Sequence, residues 1–409
     1  MNFFRNQLDK VKPYAEKSKF LHTAYDAFET FLFTPKSVTP GTGAHIRDGL
    51  DLKRTMVTVV LALQLCLLFG IFNIGHQHFN AFGLYPGLTE GLGYKLLYGL
   101  LQILPMIVVV HVVGLGIEFY FASKRGHGVE EGFLVSGMLI PLIMPPDLPL
   151  WMVALSVAFA VVIAKEAFGG TGMNLMNIAL TARVFVFFAY PTDISGDACW
   201  VSYDYNFLHH IFGLQHLTSG NVKDVVDGFS GATPLALAAK GGWEAVTKHY
   251  TVSQMFWGDI PGSVGEMCKP AIIVGALMLI ITGIGSWQIM VSMILGLLTM
   301  GLVFNGYAAT FPTTNQFLSV PFYYHLIIGS FLFAMAYMAT DPVTAAQTAT
   351  GKWLYGFFIG VVGMIVRVLN PAYPEGWMLA ILFMNVFAPL IDHYVIEANI
   401  KRRLKRSHA

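Results

Sequence analysis

Residues 97–121 read LYGLLQILPMIVVVHVVGLGIEFYF, and residues 133–164 read FLVSGMLIPLIMPPDLPLWMVALSVAFAVVIA. The first stretch contains one charge, Glu118. About 20 consecutive apolar residues suffice to cross roughly 30 Å of hydrocarbon as a helix, so this stretch predicts a membrane span. The second stretch is equally apolar but is interrupted by Pro141, Pro145, Pro146 and Pro149. Proline removes a backbone donor and clashes with the preceding turn. Neither part satisfies the length rule cleanly, and half-helices meeting at membrane depth, with their irregular backbone facing a cavity, are an alternative to two short spans.

Outward from there the same pattern recurs. Apolar segments lie at 55–74, 97–121, 133–144, 150–164, 174–190, 271–286, 288–305, 322–340, 353–369 and 376–391. The third and fourth are short. Hydrophobic residues make up 55% of the chain and charged residues 12%, about half the charge a soluble surface needs. The expected fold is an all-α polytopic membrane protein with about ten transmembrane helices. Its organisation is a cytoplasmic arm (1–54), a first membrane half (55–190), a polar segment (191–270), a second membrane half (271–391) and a basic tail (392–409). The arm mixes aromatic residues with charge and has no signal-peptide core.

Charge supports this plan. With the N-terminus inside, 18 of the 25 Lys and Arg fall in the arm, the inner loops and the tail, as the positive-inside rule requires. Two basic termini on one side demand an even number of spans. The net charge of +1 gives no footprint for nucleic acid. Cys66, Cys199 and Cys268 are far apart and form no CxxC, which argues against a cysteine-ligated metal.

A faint repeat relates residues 137–147 (GMLIPLIMPPD) to 331–341 (FLFAMAYMATD), and Asn177-Ile178-Ala179-Leu180 to the stretch from Asn385 to Leu390. Five spans per half is odd, so the halves would be inverted, which points to a site near the midplane between them. Chance similarity of apolar segments competes with this reading on even terms.

Ionisable groups at membrane depth are the next lead, since each costs roughly 2.5–3.5 kcal/mol at the bilayer centre and usually faces a partner or a cavity. They are Glu118, Asp147, Lys165, Glu166, Arg183, Asp341, Arg367 and Asp392. Glu118 is expected to pair with Lys124. Helix capping and interface anchoring explain each acid equally well when it is taken singly.

The polar segment contains Asp227-Gly228-Phe229-Ser230-Gly231-Ala232-Thr233-Pro234. Locally it reads as a turn that starts a helix, with Thr233 as N-cap and Pro234 at the first helical position. Such a helix start also suits a phosphate. The stretch DGFSGAT resembles the flavinylation motif in membrane subunits of the sodium-translocating NADH:quinone oxidoreductases and the related Rnf complexes. Arg47-Asp48, Asp51 to Arg54, Gly169 to Gly172, Pro261 to Glu266, Thr340 to Val343, Asn370 to Gly376 and Ile391 to His393 extend the resemblance over nearly the whole chain.

What the resemblance implies is specific. Thr233 would bear FMN through a phosphoester, with Asp227, Ser230 and Gly231 around it. A non-covalent riboflavin would sit in the same chain, for which Gly170, Asn174, Asn177 and Arg183 are the candidate contacts. Electrons would pass to ubiquinone and drive Na⁺ outward. Asp341, beside Thr340 and Pro342, and Asp392, at the inner mouth, are the candidate Na⁺ ligands. The chain would be a multi-pass subunit of a bacterial inner-membrane complex, both termini cytoplasmic, among lipid and other subunits. It has no GxGxxG after a strand, so NADH would be oxidised on a partner. An Rnf-type electron-transport subunit is the nearest alternative. A non-redox transporter with an inverted repeat is the alternative of a different class, and flavin absorbance separates the two.

Overall fold

The computed structural model describes residues 52–125, 132–194, 199–218, 221–226, 229–370 and 375–407, with isolated positions between 12 and 29. The arm therefore lies almost wholly outside the described residues, and so does Asp227. Among the described residues the chain is helical, without strands.

Its first half holds α1 (Leu52–Ala81), α2 (Leu92–Arg125), α3 (Phe133–Ile143), α4 (Leu150–Phe159) and α5 (Ile178–Ala189). Helix α4 runs on through a π-helical turn, Ala160–Lys165, and a tight turn, Glu166–Phe168. The polar segment contributes α6 (Pro234–His249) and α7 (Val252–Trp257). The second half holds α8 (Lys269–Ile281), α9 (Trp287–Thr310), α10 (Phe331–Phe333, continued by the π-helical turn Ala334–Met338), α11 (Ala349–Leu369) and α12 (Trp377–Ser407).

Six of these are long and apolar enough to cross a membrane: Thr55–Ala81, Leu92–Arg125, Leu150–Phe168, Trp287–Thr310, Ala349–Leu369 and Trp377–Arg406. The other apolar helices are short. Helices α3, α5 and α8 have 11, 12 and 13 residues, and at ~1.5 Å per residue none reaches across ~30 Å. Segment 322–340 is broken by Gly329 at φ +73° and helical only in pieces.

The structure thus differs from the expectation of about ten spans, the third and fourth of them short, in a consistent way. Segment 150–164, read as short, belongs to a 19-residue helix. It continues because Lys165 and Glu166 find partners inside the protein. Lys165 pairs with Glu118, and Arg125 donates to Glu166 at 2.7 Å. Glu118 is therefore the partner of Lys165, not of Lys124. Segment 174–190, read as one span, begins only at Ile178. Gly169, Gly170 and Gly172 all have positive φ and turn the chain first, and the Asn177 side chain caps the new helix by accepting from Leu180 N–H at 3.2 Å.

Helix α1 packs on α2, and α9 runs along α11, which packs on α12. Gly296 of α9 and Gly360 of α11 face each other so closely that a Cβ on either would lie 3.0 Å or less from the other's backbone. Small residues at such crossings bring lipid-embedded helices into close van der Waals contact. Two lysines are buried: Lys95 Nζ donates to Gly87 O at 2.6 Å, and Lys269 Nζ donates to the carbonyls of Glu266 and Gly329. The loop 259–268 folds back into the bundle, where Gly265 N–H donates to Leu142 O at 2.7 Å. Irregular backbone at that depth needs such internal partners.

Candidate functional site

The end of the bundle that carries the polar segment holds a small cavity, about 20 Å³, whose walls include Thr233, Trp200, Ser263, Glu266, Gly329 and Glu375. Thr233 is half-buried at its edge and is the N-cap of α6, its Oγ1 accepting from Ala236 N–H at 3.1 Å. Pro234 follows at the first helical position, as the sequence predicts. The turn before it is held from two sides. Ser230 Oγ accepts from Ala232 N–H, and Tyr250 Oη donates to the carbonyl of Ala232 at 2.9 Å. Burial pushes the Tyr250 phenol up to about 12, so it remains a donor throughout the physiological range. Ser230 and Gly231 are thus parts of a braced turn leading to the Thr233 hydroxyl.

Behind this cavity lies Arg183, almost fully buried. Its Nη2 meets Glu375 at 2.6 Å, its Nη1 meets Glu266 at 3.4 Å and Ile143 O at 2.5 Å, and its guanidinium lies 5.7 Å from the Trp200 ring. The structure therefore places Arg183 at the Thr233 end, away from Asn174 and Asn177. The sequence shows that Arg183 needs a partner. It gives no sign that the partners lie 83 and 192 residues further on. Removing one member of a buried ionic group leaves the others uncompensated, at a cost of about 3–5 kcal/mol. Arg183→Met is accordingly expected to destabilise the chain by that amount, measured as a lower thermal midpoint of the solubilised protein. An unchanged midpoint would mean that the network contributes little.

The opposite end of the bundle holds a larger cleft, about 60 Å³, between the two halves. Its walls include Lys165, Asn174, Asn177, Tyr337, Thr340 and Asp341. Two residues singled out separately in the sequence meet here. Asn177 Nδ2 donates to Asp341 at 3.1 Å, and the same carboxylate accepts from Thr344 Oγ1 at 3.0 Å and Val343 N–H at 3.1 Å. Thr340 Oγ1 donates to Ala336 O. Asn385, which the faint sequence repeat would relate to Asn177, lies beside it. With its amide oriented to donate to Tyr355 Oη, its oxygen accepts from Asn177 N–H at 3.2 Å. Both π-helical turns border the cleft, through Lys165 and Tyr337. Such turns are rare and recur at functional sites.

Gly170 is buried beside the cleft rather than in its wall, which Thr171 supplies. Asp392 does not line it. That carboxylate receives Gln347 N–H, Thr348 N–H and Thr348 Oγ1 at 2.5–3.0 Å, at the start of α11. Among the described residues no group of three His, Cys, Asp or Glu side chains is arranged to hold a metal ion. A Na⁺ site would instead draw on hydroxyl and carbonyl oxygens around a single carboxylate, the set that Asp341 offers.

Six membrane-length helices, shorter and broken apolar helices between them, and buried polar clusters set in a continuous apolar core define a multi-pass membrane protein. The chain belongs to the NQR2, RnfD, RnfE family, whose model matches residues 40–401. It is 44% identical to a subunit of the Na(+)-translocating NADH-quinone reductase of Pseudomonas paraeruginosa, covering 98% of this chain and 99% of that one. The subunit of the same name from Chromohalobacter salexigens is 44% identical, with 99% and 97% covered. That from Neisseria meningitidis serogroup B is 40% identical, with 98% of each covered.

Proposed function

We propose that this chain is a membrane subunit of a redox-driven Na⁺ pump of the kind its relatives are named for, with NADH oxidised on another subunit and ubiquinone receiving the electrons. In this reading FMN is ester-linked to Thr233, and riboflavin is held non-covalently in the cleft at the other end. The observation that carries the reading is the position of Thr233. It ends the one stretch that matches the flavinylation motif, and its half-buried hydroxyl stands at the edge of a cavity with Trp200 in its wall. Bound flavin supplies one- and two-electron transfer.

The chain's own residues have distinct tasks. The braced turn from Ser230 to Thr233 presents the hydroxyl. Trp200 offers an aromatic wall backed by the Arg183 cation. At the other end, Asn174 lines the cleft with only a long 3.4 Å bond to Met176 O, so its amide is available to a ring edge. Asn177 is already committed to the helix cap and Asp341, and it orients that carboxylate instead. Asp341, with Thr340 and Thr344, is the cation ligand. Asp392, tied to the start of α11 outside the cleft, would recruit the ion. In-gel fluorescence of the denatured wild-type chain tests the reading: a non-fluorescent chain from an active complex removes covalent flavin from it.

The proposed topology keeps ten apolar segments in two inverted halves, four of them partial. The meeting of Asn177 with Asn385, the basic arm, and the tail of Lys401, Arg402, Arg403, Lys405 and Arg406 support it. It puts Thr233 in the periplasm and both termini in the cytoplasm of a bacterial inner membrane. Reporters fused after Gly213 and after Arg406 are expected to report opposite sides. Activity on the same side for both would overturn the count.

A further inference from the structure

A groove opens between α2, the Pro146–Leu150 stretch that joins α3 to α4, and the start of the short helix Phe207–Ile211. It encloses about 190 Å³, more than either space described above. Pro105, Met106, Leu148, Leu150 and Phe207 give it apolar walls, and Gln102, Asp147, Asp204 and Asn206 give it a polar floor.

The hydrogen bonds of that floor are one-sided. Pro105 has no N–H, so the carbonyl of Leu101 lacks its helical donor. Asn206 Nδ2 supplies one at 2.7 Å and spends its other N–H on Gln102 Oε1 at 3.2 Å. Gln102 Nε2 in turn donates to Asp147 Oδ1 at 2.7 Å and to Pro146 O at 3.3 Å. The amide donors are thus consumed, whereas an ionised carboxylate has about four acceptor positions. Asp147 receives only neutral donors, Gln102 and the Tyr203 N–H. Among the described residues neither Asp147 nor Asp204 forms an ion pair. A guest that brings only carbonyl oxygens, such as a quinone, would meet acceptors alone. A cation bearing N–H groups would complete the floor with charge-assisted hydrogen bonds.

Position narrows the guest further. The rim residues Leu150 and Phe207 are exposed, and their apolar surface continues along exposed Leu104 and Val108 of α2 and exposed Trp151 and Leu155 of α4. Both helices are of membrane length. The groove therefore stands at the edge of the lipid-facing surface, at the end that carries the polar segment.

We infer that this groove binds the headgroup of an aminophospholipid, its primary ammonium donating to Asp147 and Asp204 and an acyl chain lying along the exposed apolar faces of α2 and α4. The inference is independent of any flavin on Thr233. A choline headgroup has no N–H to donate and is bulkier at nitrogen, and a glycerol headgroup brings no cation. Ethanolamine lipid is therefore selected over both.

The test counts lipid on the assembled complex. The solubilised, delipidated complex is given an equal mixture of phospholipids with ethanolamine, choline and glycerol headgroups and one acyl composition, and retained lipid is counted by mass spectrometry of the intact complex. The wild type is expected to hold about one more ethanolamine lipid per copy of this chain than the double variant Asp147→Asn/Asp204→Asn. Loss of one charge-assisted bond in Asp204→Asn is expected to weaken that lipid's binding about tenfold. Asp204 is exposed and its side chain makes no hydrogen bond among the described residues, so this variant keeps the fold even if Asp147→Asn does not. Equal ethanolamine lipid on the wild type and on both variants would overturn the inference. Choline lipid held as tightly as ethanolamine lipid would overturn the ammonium recognition. Displacement of the lipid by NaCl but not by equimolar choline chloride would assign the two carboxylates to the metal cation instead, and the inference would fail.

Discussion

Thr233→Ala is expected to abolish the in-gel flavin fluorescence of the denatured subunit while the protein still inserts and assembles. The substitution removes two things at once. It deletes the hydroxyl that would form the phosphoester, and it deletes the N-cap of α6, whose Oγ1 accepts from Ala236 N–H. Loss of a cap by itself costs about 1 kcal/mol, too little to unfold a bundle of this size. Thr233→Asn separates the two effects, since asparagine caps a helix as well as threonine does but has no hydroxyl to esterify. It is expected to restore the lost stability and to leave the chain non-fluorescent. Fluorescence retained on either variant would show that the flavin is attached elsewhere or not covalently at all.

Asp341→Asn is expected to raise the Na⁺ concentration for half-maximal quinone reduction about tenfold, with flavin content unchanged. The amide keeps the shape and one acceptor oxygen but removes the full charge. In a site of low effective dielectric that charge dominates the attraction for a cation, because the energy varies inversely with the dielectric constant. A tenfold change corresponds to about 1.4 kcal/mol, a modest fraction of that attraction. Geometry sharpens the expectation. The Asp341 carboxylate is held by Asn177, Thr344 and the Val343 amide, so an asparagine there would meet at least one of these donors with its own NH₂. Asp392→Asn is expected to act more weakly, because that carboxylate is tied to the start of α11 and stands outside the cleft. Steady-state quinone reduction against Na⁺, with flavin assayed in parallel, checks both. An unchanged Na⁺ curve for Asp341→Asn would leave that residue an anchor between the halves.

Much of this was legible in the sequence. Apolar runs such as 97–121 identify their helices because the bilayer demands length and uniform apolarity, a property of local composition alone. The prolines around 141–149 mark a break, since proline disrupts a helix wherever it stands. The Thr233-Pro234 cap was readable for the same reason: capping depends on residues within one turn. The motif ending at Thr233 also pointed to the family to which the chain belongs.

Other features were decided only when distant segments met. Which apolar runs complete a span depended on whether a charge could be buried. Lys165 could be, because Glu118 reaches it from another helix, and α4 therefore continues. The Asn177–Asp341 contact joins residues 164 positions apart, so two candidates from different arguments became one site. Arg183 went the opposite way. Its composition and neighbours suggested a place beside Asn174, whereas Glu266 and Glu375 draw it to the Thr233 end. The physical reason is the same in each case. A buried charge takes its position from the partner that compensates it, and the sequence does not say which partner the fold will bring near. The apolar pattern and the local caps thus fixed the elements, and tertiary structure alone fixed the pairing of the buried polar groups on which both sites depend.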